Sequence, residues 1–340
     1  MIAHVMAGAR AGGAELFFER LAIALHQAGD PVLPVIRRDP GRASRLRAAG
    51  LEPAELRFGG ALDLLTRPRL ARLLRRTRPR VVVAWMNRAA GMTPRGDYVL
   101  AGRLGGFYDL DYYRRCDHLI GNTRGIAEWI IRQGVSAARV HHLPNFAPDF
   151  RAANVTPAAL PVPTGAKVVL ALGRLHRNKA FDVLVRALPH LPGVHAVIAG
   201  EGPERPALEE LARRAGVSDR LHLLGWRTDT AALLAAADLL VCPSRHEPLG
   251  NVIIEAFSAA RPVVAATADG PRELITPGET GILVPLEAPA ALAGGIGAVL
   301  ENESLAARLA AGGRAAYEAE HAEAPVLARW RHFLATVEPV

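Results

Sequence analysis

Residues 244–275 read SRHEPLGNVIIEAFSAARPVVAATADGPRELI, and this stretch decides the fold and the chemistry expected of the chain. It carries two carboxylates, Glu247 and Glu255, and between them Gly250 and Asn251 open an apolar helix with Asn251 as the expected N-cap. Amides in the first turn of such a helix lack an intrahelical partner and can bind phosphate oxygens. A sugar on one acid, a ribose on the other and phosphate between them would fit this arrangement. The same pattern also fits a capped helix with a surface glutamate at each end.

Length and composition set the frame for this segment. The 340 residues suggest about two domains, and the widely spaced Cys116 and Cys242 indicate no disulfide framework, as in a reducing compartment. Residues 1–150 hold 23 arginines and no lysine against 13 acids, whereas the remainder is close to neutral. We therefore expect two units with different partners. The N-terminus lacks the basic start of a signal peptide, and prolines and glycines make residues 281–300 a poor membrane span, so a cytoplasmic protein is expected.

Apolar runs alternate with helical patterns along most of the chain. This alternation predicts an α/β protein whose first domain, residues 1–150, is a parallel, Rossmann-like unit. A proline-rich linker is expected over 151–164, and a second Rossmann-like unit over 165–322. Residues 323–340 should form a last helix that packs back toward the first domain.

Several candidate residues follow strands, and ligands bind at the carboxyl ends of parallel strands. Gly12 and Gly13 follow the first strand, and Gly202 follows the strand HAVIAG. The segment GRLHRNK supplies Arg174 and Lys179, two cations that could stabilise a departing diphosphate without a metal. Taken alone, GRLHRNK would suit a solvated loop equally well.

The second half resembles the retaining glycosyltransferases of family 4, which have the GT-B fold. The resemblance covers nearly all of residues 165–285, through GRLHRNK, AGEGP, LGWR, AADLLVCPSRHE, the two-glutamate segment and PVVAATADGPRELI. The first half matches more loosely, through AGGAELFFERLA at 11–22 and CDHLIGNTRGI at 116–126. The expected fold is therefore two Rossmann-like domains that face a central cleft.

This resemblance implies a role for each candidate residue. Arg174 and Lys179 would hold the donor diphosphate and act in catalysis together with Glu247, which would contact the donor sugar near the reacting carbon. Glu255 would bind the ribose. Gly12 and Gly13 would contact either the donor or the acceptor. Further contacts to the donor are implied for Gly202, Gly250, Asn251 and Val252. No metal ligand and no cofactor are implied.

Three positions leave alternatives open or depart from the family pattern. Trp226 would lie beside the nucleobase, or would be a buried indole packed between domains. Pro248 and Leu249 stand where many members have a glycine and an aromatic residue, a change that should alter the loop little. Gly105 stands where relatives often have a histidine that helps hold the sugar, and His118, expected in a strand, is interpreted as structural.

Other patterns suggest chemistry that the main interpretation does not need. Asp109 and Asp111 form an acid-x-acid pair of the kind that binds a metal in other glycosyltransferases, but they lie away from any nucleotide motif. AGARAGG lacks the three-glycine spacing of a dinucleotide site. The segment Arg67–Arg80 holds seven arginines with three leucines on one helical face. It would suit anionic lipid or an ordinary helix covering the sheet. Nucleic-acid binding is not expected.

The main hypothesis is a retaining, metal-independent glycosyltransferase that uses a UDP-, GDP- or ADP-sugar as donor. The acceptor would be a glycan or an anionic lipid-linked molecule such as a lipopolysaccharide core, reached by peripheral contact of the basic first domain with the inner membrane face. Two alternatives share the same cleft. One is a sugar-nucleotide epimerase or hydrolase, and the other is a non-catalytic nucleotide-binding protein.

Overall fold

A computed structural model describes residues 1–9, 12–59, 63–151 and 155–339. The chain divides into two compact units, the first formed by Met1–Phe146 with Glu323–Val340 and the second by Ala147–Ala322. Among the described residues, none of the helices combines the length and the apolar character needed to cross a membrane.

The first unit is built on a parallel sheet. Its strands are β1 (Ile2–Met6), β2 (Val32–Arg37), β3 (Ala54–Leu56), β4 (Val81–Trp85), β5 (Val99–Leu104), β6 (His118–Gly121) and β7 (Val140–His142). They pair in parallel in the order β3-β2-β1-β4-β5-β6-β7. The helices between them are α1 (Gly13–Gln27), α2 (Pro40–Ala48), α3 (Thr66–Thr77), α4 (Met86–Met92) and α5 (Arg124–Arg132).

Burial explains why these segments form their elements. All five residues of β4, VVVAW, are buried, as expected for a central strand whose two faces are both covered by helices. In α1 the apolar side chains recur at helical spacing and are buried, and Gly29 follows the helix with a φ of +86° that favours glycine. Because β1 runs parallel to both of its neighbours, its end and the start of α1 lie at the carboxyl edge of the sheet.

The second unit repeats the same design. Its strands are β8 (Lys167–Leu172), β9 (Val194–Ala199), β10 (Leu221–Leu223), β11 (Leu239–Cys242), β12 (Val263–Ala266) and β13 (Ile282–Val284), paired in the order β10-β9-β8-β11-β12-β13. Its helices are α6 (Phe181–Ala187), α7 (Arg205–Arg214), α8 (Thr230–Ala236), α9 (Asn251–Ser258), α10 (Asp269–Leu274), α11 (Pro289–Glu301) and α12 (Glu303–Ala316). Counted within the unit, the order is 3-2-1-4-5-6, which is that of a Rossmann sheet. The expected α/β architecture of two parallel units is confirmed.

The last helix, α13 (Glu323–Thr336), belongs to the first unit. Its Trp330 is fully buried and stacks on Trp85 of β4, with ring planes 6° apart and centroids 6.2 Å apart. The guanidinium of Arg80 donates to the carbonyl oxygens of Leu334 and Val337 at the end of the helix. The first unit is therefore completed by residues from both ends of the chain.

The change from the first unit to the second falls at Ala147, ahead of the linker expected over 151–164. Residues 152–154 of that segment lie outside the described residues. The backbone N–H of Ala158 donates to the carbonyl of Ala232 at 2.9 Å, and Leu160 and Val162 pack against the core of the second unit. This part of the segment is thus attached to the second unit.

Candidate functional site

The candidate site of the second unit lies where the strand order reverses. β8 pairs with β9 on one side and with β11 on the other, so the loops that follow β8 and β11 emerge next to each other at the carboxyl edge. Ligands bind at such a switch point in open α/β sheets. The loop after β8 contains GRLHRNK, and the loop after β11 contains Glu247.

An ion pair joins these two loops. The Nζ of Lys179 lies in direct contact with Oε2 of Glu247, and the hydroxyl of Ser244 donates to the same oxygen at 3.3 Å. The two charged side chains are 24% and 11% exposed. Burial acts to lower the pKa of Lys179, but the attraction of Glu247 outweighs it and leaves that pKa above its ordinary value. The ammonium therefore stays charged beside the carboxylate.

Backbone and side-chain hydrogen bonds fix the loops around this pair. The carbonyl oxygen of Asn178 accepts from the backbone N–H groups of Arg245, at 2.8 Å, and His246, at 3.3 Å. The guanidinium of Arg245 donates through both terminal nitrogens to the two carboxylate oxygens of Asp182, each at 2.7 Å, and also to Glu287 at 2.9 Å. Two parallel bonds of this kind give a strong and directional pairing.

Ser244 and Arg245 were absent from the predicted site. They stand three and two residues before the predicted Glu247 in the sequence SRHE, and this nearness was the available signal. Ser244 bonds to Glu247 three residues on, whereas the partners of Arg245, Asp182 and Glu287, lie on distant segments that spacing along the chain does not reveal.

Glycines let the backbone of this region pack closely. An added Cβ on Gly202 would lie 2.3 Å from the carbonyl oxygen of Leu175, and one on Gly270 would lie 2.1 Å from that of Leu249. The N–H of Gly270 donates to the carbonyl of Glu247 at 2.8 Å. Gly202 therefore has a packing reason for being glycine, and its contact with a donor stays a prediction.

The start of α9 corrects the predicted cap. Gly250, not Asn251, is the N-cap residue; its φ of +93° suits glycine, and Asn251 is the first residue of the helix. The carbonyl of Gly250 accepts from the N–H of Ile253 at 2.9 Å, so the turn closes without a side-chain cap. Val252 follows in the first turn, whose N–H groups offer a positive helix end to an anion. Glu255 lies in the middle of α9 and is 8% exposed.

The two cations of GRLHRNK have different surroundings. Lys179 is paired, whereas Arg174 is exposed and makes no hydrogen bond or ion pair with any other residue in the described ranges. Arg174 lies just beyond the end of β8, at the same edge as Lys179. One cation is therefore fixed by the protein, and the other is available to a ligand.

Trp226 lies on the surface, with 58% of the residue exposed. The alternative of a buried indole is therefore wrong. Gly225 precedes it with a φ of +76° and forms a bridge with Gly200, which follows β9. A place beside a nucleobase stays a prediction for Trp226.

In the first unit, Gly12 is the N-cap of α1 and Gly13 is its first residue. The backbone N–H of Ala9 donates to Oε1 of the buried Glu15 at 2.8 Å, and the carbonyl of Ala9 accepts from the buried guanidinium of Arg42 at 2.9 Å. An added Cβ on Gly12 would lie 2.3 Å from Oε2 of Glu15. The described part of this loop thus folds tightly over Glu15, which sequence patterns did not single out.

The remaining polar candidates have local roles. Oδ1 of Asp109 accepts from the N–H of Asp111 at 2.9 Å and caps a short turn, and Asp111 lies 3.8 Å from Arg114. His118 begins β6 as expected and bonds to His141 at 3.0 Å. Among the residues described, no three His, Cys, Asp or Glu side chains come together as metal ligands.

Comparisons with known proteins agree with this architecture. A family model described as Glycosyltransferase Family 4 matches residues 11–149, and one described as Glycosyl transferases group 1 matches residues 166–302. The chain is 37% identical over 305 residues to the lipopolysaccharide core biosynthesis glycosyltransferase LpsE of Rhizobium meliloti, with 88% of each chain covered. It is 33% identical over 317 residues to LpsD of the same organism, with 92% of this chain and 91% of LpsD covered.

Solved structures show the same fold at lower identity. HepE of Anabaena in complex with UDP and glucose gives a TM-score of 0.84 at 22% identity, with 99% of each chain covered. WaaG, a glycosyltransferase involved in lipopolysaccharide biosynthesis, gives 0.75 at 18% identity, with 99% of this chain and 100% of WaaG covered. Two Rossmann-like units of this kind define the GT-B class. The chain belongs to the GT-B glycosyltransferases whose two domains match the family 4 and group 1 models.

Proposed function

We propose that the protein is a retaining, metal-independent glycosyltransferase that moves a sugar from a nucleoside diphosphate donor to a lipopolysaccharide core or another lipid-linked glycan. The observation that carries this proposal is the ion pair between Lys179 and Glu247 at the switch point of the second sheet, beside the amino end of α9. The relatives whose names specify lipopolysaccharide core biosynthesis support the acceptor class.

The donor would occupy the carboxyl edge of the second sheet. Lys179 and the unpaired Arg174 would hold the diphosphate, whose negative charge grows as it departs. The first-turn amides of α9, from Asn251 and Val252, would contribute further donors to phosphate oxygens. In this proposal Glu255 holds the ribose. UDP is the first donor nucleotide to test, because HepE was solved with UDP.

The surroundings of Glu247 support a positioning role more than a nucleophilic one. Its carboxylate already binds the Lys179 ammonium and the Ser244 hydroxyl, and both contacts reduce the reactivity of the oxygen they touch. The donor C–O bond would then break as the acceptor oxygen bonds to the same face of the anomeric carbon. The acceptor proton would pass to the departing phosphate, and the configuration would be retained.

Charge and exposure in the first unit support contact with an anionic membrane surface. The leucine face of α3 is buried through Leu70 and Leu74, so this helix does cover its sheet. The helix also exposes five arginines that form no ion pair with residues of the described ranges, namely Arg67, Arg69, Arg72, Arg75 and Arg76. Leu64 and Leu65, just before the helix, are 82% and 53% exposed. Arginines beside exposed leucines suit anionic lipid headgroups and the apolar layer beneath them.

A transfer assay tests the central proposal. Candidate UDP-, GDP- and ADP-sugars are first ranked by their protection against thermal unfolding, because a ligand that binds the folded state raises the melting temperature. The best donor is then combined with a truncated lipopolysaccharide acceptor, and the anomeric configuration of the product is read by NMR. Inversion would contradict the retaining assignment, and loss of transfer in the presence of a chelator would contradict metal independence. Turnover of the donor alone would favour the epimerase or hydrolase.

Two variants separate positioning from nucleotide binding. We expect Glu247→Ala to abolish transfer and to keep most of the nucleotide affinity, whereas Arg174→Ala should weaken nucleotide affinity. Full transfer by Glu247→Ala would remove this residue from the site.

Flotation with phosphatidylglycerol vesicles tests the membrane contact, and salt-insensitive or absent binding would contradict it.

A further inference from the structure

Arg245, in the loop after β11, has all three of its guanidinium nitrogens bonded to the protein. Nη1 donates to the carbonyl oxygen of Arg177 at 2.9 Å and to Oδ1 of Asp182 at 2.7 Å. Nη2 donates to Oδ2 of Asp182 at 2.7 Å and to Oε2 of Glu287 at 2.9 Å, and Nε contacts the other oxygen of Glu287. An arginine side chain has five N–H donors, and these five contacts use them. Unlike Arg174, Arg245 therefore has no donor left for a ligand.

These contacts tie the loop of Glu247 to the segment of Lys179. Arg245 stands two residues before Glu247. Its partners Arg177 and Asp182 stand two residues before and three residues after Lys179, so the segment is held on both sides of its lysine. A displacement of about 1 Å at a reacting group can cost about a hundredfold in rate. Connections this close to the ion pair therefore bear directly on how its ammonium and carboxylate are aligned.

The backbone of this region needs support from outside its own sequence. Ala180, the residue after Lys179, has a φ of +52°, and Glu287 has a φ of +57°. Left-handed backbone is unfavourable for a residue with a Cβ, and it persists only where the surroundings hold it. Asp182 and Glu287 bind the same guanidinium, so Arg245 holds the segments of both strained residues.

The charges of these groups make the support depend on the arginine. Burial acts to raise the pKa of Asp182, but the hydrogen bonds from Arg245 and then from Arg186 outweigh it and leave that pKa below its ordinary value. Asp182 therefore stays ionised, and it shares Nη2 of Arg245 with Glu287. Without the guanidinium, two carboxylates would lie close together with one cation fewer, and their repulsion would push the loops apart.

We propose that Arg245 is a positioning residue of the transfer reaction, which holds Lys179 and Glu247 in the geometry that the departing diphosphate requires without touching either substrate itself. The inference rests on the proposed function. A bidentate pair with Asp182 and a further pair with Glu287 need the planar fork of arginine, and a lysine would make only part of these bonds.

The lysine content of the chain allows a direct test. Lys167 and Lys179 are its only two lysines. Lys167 is 56% exposed and begins β8, so it lies at the other end of that strand from the site. Trace acetylation of the folded protein, read by mass spectrometry, gives the labelling of Lys179 relative to Lys167 in one sample. Because only the free amine reacts, this labelling ratio reports the pKa and the accessibility of Lys179.

In Arg245→Met the labelling ratio should rise about tenfold, since each unit by which the pKa of Lys179 falls gives about ten times more free amine. Burial lowers this pKa and the attraction of Glu247 raises it, so a lysine that moves away from Glu247 loses protonation. Arg186→Met is the matched control, because Arg186 binds the carboxylate of Asp182 from one turn along α6 and is 49% exposed. Its labelling ratio should stay within about twofold of the wild type.

Kinetics supply the second readout, at a temperature where every variant is fully folded. Arg245→Met should lower kcat about a hundredfold and change the donor KM less than about threefold, because the binding groups remain while their alignment is lost. Arg186→Met should keep the wild-type kcat. Arg245→Lys keeps a cation beside Asp182, so its changes in kcat and labelling ratio should have the same direction and be smaller. This variant keeps the test valid if the methionine variant does not fold.

A labelling ratio within about twofold of the wild type in both Arg245 variants would overturn the inference, as would equal rises in Arg245→Met and Arg186→Met. A donor KM raised about tenfold with kcat unchanged would overturn it too, because Arg245 would then bind substrate. A raised labelling ratio in a protein that transfers nothing would instead refute the proposed function and leave intact the control of Arg245 over Lys179.

Discussion

The two units share one strand order but use charge differently at their carboxyl edges. In the second unit Lys179 and Glu247 meet at the edge itself, beside the amino end of α9. In the first unit the charges of Glu15 and Arg42 hold the backbone of Ala9 from within. Charge therefore joins two loops at the edge of one unit, where we propose that it binds the donor, and shapes a loop from within in the other.

The largest effect should come from separating the charged pair of the second unit. Lys179→Ala leaves the Glu247 carboxylate without its cation and removes a contact to the developing diphosphate charge. We expect kcat/KM to fall about a thousandfold. Lys167→Ala is the control, because Lys167 is 56% exposed and lies 3.6 Å from Asp238 on the surface. Similar losses from both substitutions would contradict a special role for Lys179.

The next largest effect should come from the internal charge of the first unit. Arg42 is fully buried and bonds to Glu19 at 2.9 Å, so Arg42→Met should lower the free energy of unfolding by about 3 kcal/mol. Arg45 binds the same carboxylate but is 57% exposed, and Arg45→Met should cost less than about 1 kcal/mol.

Urea unfolding followed by tryptophan fluorescence measures this difference. Three of the four tryptophans, Trp85, Trp129 and Trp330, belong to the first unit. Equal losses of unfolding free energy in Arg42→Met and Arg45→Met would mean that burial does not determine how much these charges contribute to stability.

Acid should destabilise the first unit through His4. Burial, with Arg103 adding to it, lowers the pKa of His4 from 6.5 to about 3, so the unfolded chain binds this proton well before the folded chain does. The contribution of His4 to the free energy of unfolding is fully present above pH 6.5. Below pH 6.5 the free energy of unfolding should decrease by about 1.4 kcal/mol per pH unit. His141, whose pKa burial and His118 lower to about 4, should add to the slope.

His4→Gln keeps an acceptor for the Trp85 N–H, which donates to Nδ1 of His4 at 3.2 Å. This variant should flatten the pH slope of the unfolding free energy measured by fluorescence. A slope equal to that of the wild type would assign acid unfolding to other groups.

The smallest effect is expected at the surface of the second unit. Trp226→Phe should change the free energy of unfolding by less than about 0.5 kcal/mol, because the side chain is mostly exposed. Nucleotide affinity should change by no more than a few-fold, since Phe retains an aromatic face. Trp226→Ala should weaken it further, and identical affinities in all three proteins would place the nucleobase elsewhere.

The strands of the second unit were predicted more completely than those of the first. Alternation of apolar runs and helices was enough to predict both parallel sheets, although the short strands Ala54–Leu56 and Val140–His142 escaped detection. All residues of these two edge strands are only half-buried, so they lack the apolar run that marks a central strand.

The other features that the sequence did not predict share a physical cause. Each depends on the backbone conformation or on a partner that is distant in the sequence. Asn251 has the better side chain for an N-cap, but the φ of +93° at the cap position favours Gly250. Sequence patterns did not single out Arg42 or Glu15, because burial and a partner across the fold cannot be seen from spacing.

The position of the last helix has a consequence for synthesis. The second unit is one continuous piece of chain, Ala147–Ala322, and all its strands have been made before the last helix emerges from the ribosome. The first unit, although most of it precedes the second in the chain, needs Trp330 to cover Trp85 and so cannot finish its core until the last helix has been made. We therefore expect a ribosome stalled shortly before the last helix to carry a folded second unit and a first unit with an exposed tryptophan.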